Sequence, residues 1–353
     1  MSQIRPVVLV DAFNLFTRHF VAHPAMNDHG NHVGGIVGFI NALKRISSEM
    51  SPSDIVVVWE GGGSKKRRDI LSTYKMSRRP QKLNRFYDDE NIPNTIENRN
   101  DQVAFLIEAL KMLPVIQAYI PDCEADDVIG YLSRYKFRNM KKVIISSDRD
   151  FYQLLDERTI IYSPTWKRFV TKKEVSDKFN ISASNFCLAK SICGDPSDNI
   201  KGVKGAGFKT IAKRFPDLSE EGDFTISEIL EISRKKIQEK NSPKIFREIA
   251  NNESLIKRNW KLTYLDTSNL APFDLKYLRY LTEKYFSYHS KYKDFPTLSL
   301  LITIIRDDLR EGKDIIIREQ IIEFLHRVRM NPAVGDLQFV KDKSLDFCKQ
   351  QAM

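Results

Sequence analysis

The chain has 353 residues, 42% apolar and 29% charged, with 56 Lys+Arg against 46 Asp+Glu and a formal net charge of +10. That length and balance allow a packed core in one or two domains and exclude a fold that needs covalent staples. The basic excess points to a polyanionic partner, nucleic acid before an acidic membrane surface.

In chain order, "VVLVD" (7–11), "IVVVWE" (55–60), "VIQAYI" (115–120) and "KVIISSD" (142–148) read as buried strands rich in Val and Ile. Between them, "VGFINALKRI" (37–46) and "AFLIEALKML" (104–113) carry apolar residues three and four apart, as amphipathic helices do. Strand-helix-strand order predicts an α/β fold, a mixed and mostly parallel sheet flanked by helices. From about residue 175 short helical patterns dominate, broken by the turn-rich "GDPSDNIKGVKGAGFKT" (194–210). The expected division is a catalytic α/β domain over 1–173 with an arch at about 61–100, a helical module over 174–275 and a helical C-terminal extension over 276–353.

Three predicted strands end in a carboxylate: Asp11, Glu60 and Asp148. Ligands of open α/β sheets bind outside the carboxyl ends of the strands, so these acids should converge. "CEADDVIGYL" (123–132) adds Glu124, Asp126 and Asp127 within one helical turn. Glu124 and Asp127 share a face and Asp126 points elsewhere, so the trio can serve two adjacent ligands. A plainer reading makes them first-turn acids that favour the helix dipole, with Asp122 as the cap. "SSDRDF" (146–151) contributes Asp150, and "GDPSDN" (194–199) contributes Asp195 and Asp198. Carboxylates crowded in one cleft raise each other's pKa unless cations neutralise them. Oxygen-only donors suit Mg²⁺ or Mn²⁺ rather than zinc, and two such ions ~3.5–4 Å apart can clamp a phosphodiester.

"VDAFNLFTRHF", "YKMSR", "CEADDVIGYL", "IISSDRDFYQLL" and "GDPSDNIKGVKGAGFKT" occur in the order seen in the 5′ nuclease superfamily. That superfamily includes flap endonucleases, phage 5′-3′ exonucleases and phage RNase H, and the 5′ nuclease domain of bacterial DNA polymerase I. The chain resembles it over roughly residues 5–265, most of all its free-standing phage members. The resemblance implies a PIN-like core with a helix-three-turn-helix module. It implies that Asp11, Glu124, Asp126, Asp127 and Asp148 line a first metal site, and Asp150, Asp195 and Asp198 a second, for two or more Mg²⁺ or Mn²⁺ ions. Where the family usually has Asp, this chain has Glu60, one methylene longer. The implied activity is 5′-3′ exonuclease or flap endonuclease hydrolysis near 5′ ends at duplex junctions, removing RNA primers or 5′ flaps.

"GVKGAGFKT" fails as a P-loop, because Phe208 follows Gly207 where Lys is required and no strand is predicted before it. Gly202, Gly205 and Gly207 instead suit a helix-hairpin-helix-like turn whose backbone approaches a phosphate, with Lys204, Lys209 and Thr210 beside it. In the family this element grips duplex backbone, often with K⁺. Residues 61–85 hold nine Lys/Arg and one acid. Such a run is ordinarily a solvated basic loop. The resemblance makes it an arch over the metals, in which Lys75 and Arg78 hold the scissile phosphate. Tyr74, Phe86 and Tyr87 are candidates to stack bases, and Arg79 and Arg18 to contact DNA.

The early histidines His19, His23, His29 and His32 read as a surface or DNA-proximal loop. No Cys-x-x-Cys pair occurs among Cys123, Cys187, Cys193 and Cys348, which excludes a zinc ribbon. No apolar run approaches the ~18 residues of a membrane span. A monomer in a reducing cytoplasm is expected, acting on DNA with a 5′ flap, nick or RNA primer. The tail 338–353 is a candidate segment for docking a sliding clamp or single-strand-binding protein. Two rivals are a PIN-like ribonuclease and a catalytically silent junction-binding protein.

Overall fold

The computed structural model describes residues 5–27, 30–78, 95–111, 113 and 115–289. Its strands β1 (Val7–Asp11), β2 (Asp54–Trp59), β3 (Ile116–Tyr119), β4 (Lys142–Ile145), β5 (Thr159–Ser163) and β6 (Arg168–Val170) form one sheet in the order β3-β2-β1-β4-β5-β6. The first five are parallel and β6 closes one edge antiparallel. All residues of β1 and β2 are buried, as parallel strands covered on both faces require. Because side chains alternate, Val8, Val10 and Val57 enter one core while Val7, Leu9, Val56 and Val58 enter another.

The helices of the first half are α1 (Ala12–Ala22), α2 (Gly34–Met50), α3 (Lys65–Ile70), α4 (Thr95–Lys111) and α5 (Ala125–Tyr131). Leu15, Phe16 and Phe20 of α1, Phe39, Ile40 and Leu43 of α2, and Leu106 and Leu110 of α4 cover one face of the sheet. Val128, Ile129 and Tyr131 of α5 cover the other. Beyond the sheet come α6 (Lys172–Phe179), α7 (Phe186–Cys193), α8 (Phe208–Arg214), α9 (Ile226–Ile237), α10 (Lys244–Asn251), α11 (Glu253–Thr263) and α12 (Pro272–His289). Leu188, Ile192, Ile211, Ile229, Phe246 and Ile256 give this second half its own core.

The structure departs from the expectations in four places. β5 and β6 lie where no strand was read, because their apolar runs are too short to show a period. Two-residue strands β7 (Gly194–Asp195) and β8 (Ile200–Lys201) pair just before the glycine turn. The cap of α5 is Glu124, which makes no capping hydrogen bond, while Asp122 sits in a left-handed turn at φ 55°. Finally, α12 runs across the expected boundary at 275/276, and Leu265, Leu270 and Leu278 return to the sheet's second core. Residues 79–94 of the expected arch, residues 28–29 and the chain after 289 lie outside the described residues, and with them His29, Arg79, Phe86, Tyr87, Cys348 and the candidate docking tail.

Candidate active site

β1 sits at the middle of the sheet, with β2 on one side and β4 on the other. The crevice at such a reversal lies at the strands' carboxyl ends, and there the acids gather. Asp11, the last residue of β1, caps α1 by accepting from Asn14 N (3.2 Å), and Ser146 Oγ donates to its other oxygen (2.9 Å). Ser146 Oγ in turn accepts Asp148 N (3.1 Å), and Asp148 Oδ1 accepts Asp150 N (2.9 Å). Glu60, just after β2, accepts Ala125 N at the start of α5 (3.2 Å). Burial pushes the Asp11 carboxyl up to about 7 against its hydrogen bonds, and the charges of Asp148 and Glu60 add to the rise. Asp126 is raised by burial and then by Asp148 and Asp11. Glu60 is raised by burial and by Glu124. Asp11, Glu60, Asp126 and Asp148, from four segments, thus share one electrostatic neighbourhood.

Glu124 and Asp127 have a different environment. Arg67 of α3, 1% exposed, reaches both: Nη1 lies 3.2 Å from Glu124 Oε2 and 2.5 Å from Asp127 Oδ2, and Nη2 donates to Asp127 Oδ1 at 2.8 Å. Arg67 Nε donates to the Leu262 carbonyl at 2.7 Å, and Asn269 donates to Asp127 Oδ1 at 2.9 Å. Both Asp127 oxygens are therefore taken by Arg67 and Asn269. Asp127, expected to line the first metal site, here pairs with the arginine. Glu124 bridges the two environments, with Tyr74 Oη donating to Oε2 (3.1 Å) and Lys75 Nζ 2.7 Å from Oε1. Burial would raise Glu124, but Lys75 and Arg67 outweigh it and hold the carboxyl below the usual range.

Tyr74 is 6% exposed and packs with Ile200 and Leu262. Tyr74, expected to stack a base, here is buried and spends its hydroxyl on Glu124.

One oxygen each from Asp150, Asp195 and Asp198 lie within 4.8 Å of one another. Asp150 lies in the first turn of a 3₁₀ segment after β4, whereas Asp195 and Asp198 come from the β7–β8 turn. Two basic side chains meet this trio. Arg78 places Nε (3.2 Å) and Nη2 (2.6 Å) on Asp198 Oδ1. Lys190 of α7 contacts Asp150 Oδ1 and lies 2.7 Å from Asp195 Oδ2. Residues 73–77 are also tied to this turn: Lys75 N donates to the Asp198 carbonyl (3.1 Å), Ser77 Oγ to Asn199 Oδ1 (2.7 Å), and Asn199 Nδ2 to the Thr73 carbonyl (2.9 Å).

In the glycine turn, a Cβ on Gly202 would stand 1.9 Å from the Cys193 carbonyl oxygen, and Gly205 has φ +79° with open space above it. Gly207 caps α8, with Lys204 and Lys209 exposed beside it and Thr210 half-buried. Arg18 donates to Thr165 Oγ1 (3.0 Å) at the β5–β6 turn, also on the carboxyl edge of the sheet. His32 is 1% exposed and bonded to the His23 carbonyl (3.0 Å), so it is a core residue rather than part of a surface loop.

Sequence reasoning missed Arg67 and Lys190. Arg67 was one of four consecutive cations, and nothing local says which of them turns inward. Lys190 did carry a signal, a lone charge inside the apolar run "FCLAKSIC".

A divalent cation fits the donors. All are carboxylate oxygens, the preferred ligands of hard cations, and their mutual repulsion, visible at Asp11 and Asp126, is what a cation relieves. Asp11, Glu60, Glu124, Asp126 and Asp148 could hold one ion, and Asp150, Asp195 and Asp198 another.

Residues 6–180 match the family model described as 5′-3′ exonuclease, N-terminal resolvase-like domain. DNA polymerase I of Bacillus subtilis is 28% identical over 249 residues, covering 68% of this chain and 26% of that protein. The 5′-3′ exonuclease of Aquifex aeolicus is 27% identical over 209 residues, covering 59% of this chain and 68% of that one. The chain thus spans about a quarter of the polymerase it matches. The zinc-bound structure of T5 5′-exonuclease has a similar fold, with a TM-score of 0.63, 21% identity, and coverage of 80% of this chain and 100% of that one.

Proposed function

Residues 6–180 are a 5′-3′ exonuclease N-terminal domain, so the chain belongs to the 5′ nuclease superfamily, and from that membership we propose that it hydrolyses phosphodiesters near the 5′ end of a strand at a duplex junction. The observation that carries this reading is the gathering of acids from five chain segments at the sheet's carboxyl edge, with Lys75 and Arg78 beside them. The ions we assign are Mg²⁺ or Mn²⁺ at the acids and K⁺ at the glycine turn. When bound at the acids, such an ion supplies Lewis acidity and makes water nucleophilic at neutral pH.

The chain's own residues do the rest. Asp11 and Asp148 are fixed by Ser146, so the acids of β1 and β4 hold one geometry. Arg67 and Tyr74 fix Glu124 from behind. Lys75 and Arg78 lie on the solvent side of the acids, 20% and 52% exposed, and can leave Glu124 and Asp198 for the oxygens of a scissile phosphate. There they would stabilise the charge that builds on those oxygens. Gly202–Thr210 would hold the duplex backbone without reading its sequence. The targets we assign are 5′ flaps and RNA primers, as in DNA replication, with the enzyme acting as a monomer.

The test is cleavage of a 5′-labelled flap duplex in Mg²⁺, beside EDTA and an Asp148→Asn variant. Metal-dependent release of short 5′ products, lost in the variant, is expected. Tight flap binding with no cleavage in Mg²⁺ or Mn²⁺ would overturn the enzyme reading and leave a junction-binding protein.

A further inference from the structure

Lys190 is the least expected side chain in the site. It projects from the last turn of α7, whose neighbouring residues Leu188, Ala189 and Ile192 are core, so its backbone has little freedom. Its side chain is 10% exposed and its ammonium lies on Asp150 Oδ1 and Asp195 Oδ2. Asp195 has no second oxygen to offer, because Oδ1 accepts both Ser197 N (2.9 Å) and Ser197 Oγ (2.6 Å). An ion held by Asp150, Asp195 and Asp198 must therefore take Asp195 Oδ2 from the lysine.

We propose that Lys190 is an internal competitor for the divalent ion at Asp150, Asp195 and Asp198, so that loading this site exchanges an ammonium for a metal ion. The proposal rests on the metal-dependent reading above. Two charges on one donor pair repel, and the ammonium is the one on a flexible four-carbon stem. Once displaced, it is a mobile cation at the edge of a site that takes phosphates. A DNA phosphate gives it a new partner, so DNA and metal bind this site with positive coupling. The lysine thereby keeps this site weak until substrate is present.

The test uses the full chain and Mn²⁺ as the probe, with binding read by electron paramagnetic resonance and no cleavage required. Lys190→Met should bind the weaker Mn²⁺ about tenfold more tightly than the parent, and a nicked duplex should strengthen Mn²⁺ binding in the parent more than in the variant. Lys190→Arg should keep the parent's weak binding. A second readout needs no variant: acetylation of Lys190 by a soluble acylating reagent, mapped by mass spectrometry, should rise on adding Mg²⁺ over EDTA. Unchanged or weaker Mn²⁺ binding in Lys190→Met, or unchanged acetylation, would overturn the exchange while leaving the nuclease reading intact. Absence of Mn²⁺ binding in parent and variant alike would overturn both.

Discussion

At the scale of single residues, one buried arginine holds two of the clustered acids. Arg67 gives Asp127 a two-pronged contact and Glu124 a third, at the exposure of a core leucine. Burial works against the guanidinium, but Asp127 and Glu124 outweigh it and keep it protonated. Breaking such a pair leaves a buried charge without compensation, so Arg67→Met should cost about 3–5 kcal/mol in urea unfolding. Arg67→Lys should recover little of it, because an ammonium cannot span both Asp127 oxygens. A loss below about 1 kcal/mol would mean that Asp127 is neutralised another way.

His19 offers a pH signature at the same scale. Burial lowers its pKa to about 4, helped by His23, Arg18 and Arg45, so the folded protein keeps the ring neutral. The sign follows from linkage: with the folded pKa below the unfolded value of 6.5, its contribution is complete above pH 6.5 and is lost as pH falls toward 4. Because the ring is half-buried, about 1–2 kcal/mol is expected over that window. The stability difference between His19→Asn and the parent should change with pH by that amount, and a constant difference from pH 7 to 4 would refute the assignment.

At the scale of elements, Gly202 and Gly205 of the 202–207 turn should separate folding from binding. Gly202 is held against the Cys193 carbonyl, so Gly202→Ala forces the β7–β8 turn apart, with an expected loss of about 1–3 kcal/mol or more. Gly205→Ala meets no atom and bears only the cost of a left-handed residue, about 1 kcal/mol. Its methyl would nevertheless stand where the proposed duplex contact lies, so DNA affinity should fall while the fold persists. Parent-like affinity in Gly205→Ala, measured by fluorescence anisotropy, would remove the turn from the interface. The elements also mark how much was legible in advance. β1 is found at Val7–Asp11 as its apolar run predicts, and the helix read at 37–46 lies inside α2. β5 and β6 escaped because an edge pair is defined by its partners rather than by its own pattern.

At the scale of the whole molecule, the site is closed by pieces far apart in sequence. Asn269 donates to Asp127, the Leu262 carbonyl accepts from Arg67, and α12 returns under the sheet. The net charge of +10 lies on the same molecule as a crevice of acids. Nucleic acid should therefore bind through the basic surface, with log affinity falling linearly against log salt. Replacing Lys204 or Lys209 by Ala should flatten that slope by about one unit without altering sequence preference. An unchanged slope in both variants would place the duplex elsewhere. Among the described residues no helix is long and apolar enough to cross a membrane.

What the sequence determined by itself is the set of acids and the end of the sheet that holds them. Strands written in Val and Ile stop at Asp11, Glu60 and just before Asp148, and parallel pairing then leaves those residues no other edge. What only the tertiary structure decided is how charge is shared among them. Asp126 and Asp127 are adjacent in the chain, yet one meets the acids of the crevice and the other a buried guanidinium. Lys190 and Asp150 are 40 residues apart and form a contact that no local pattern encodes. Periodicity reports which side of an element faces inward. It does not report which opposite charge waits there, because that depends on the packing of helices whose order in space is set by the sheet.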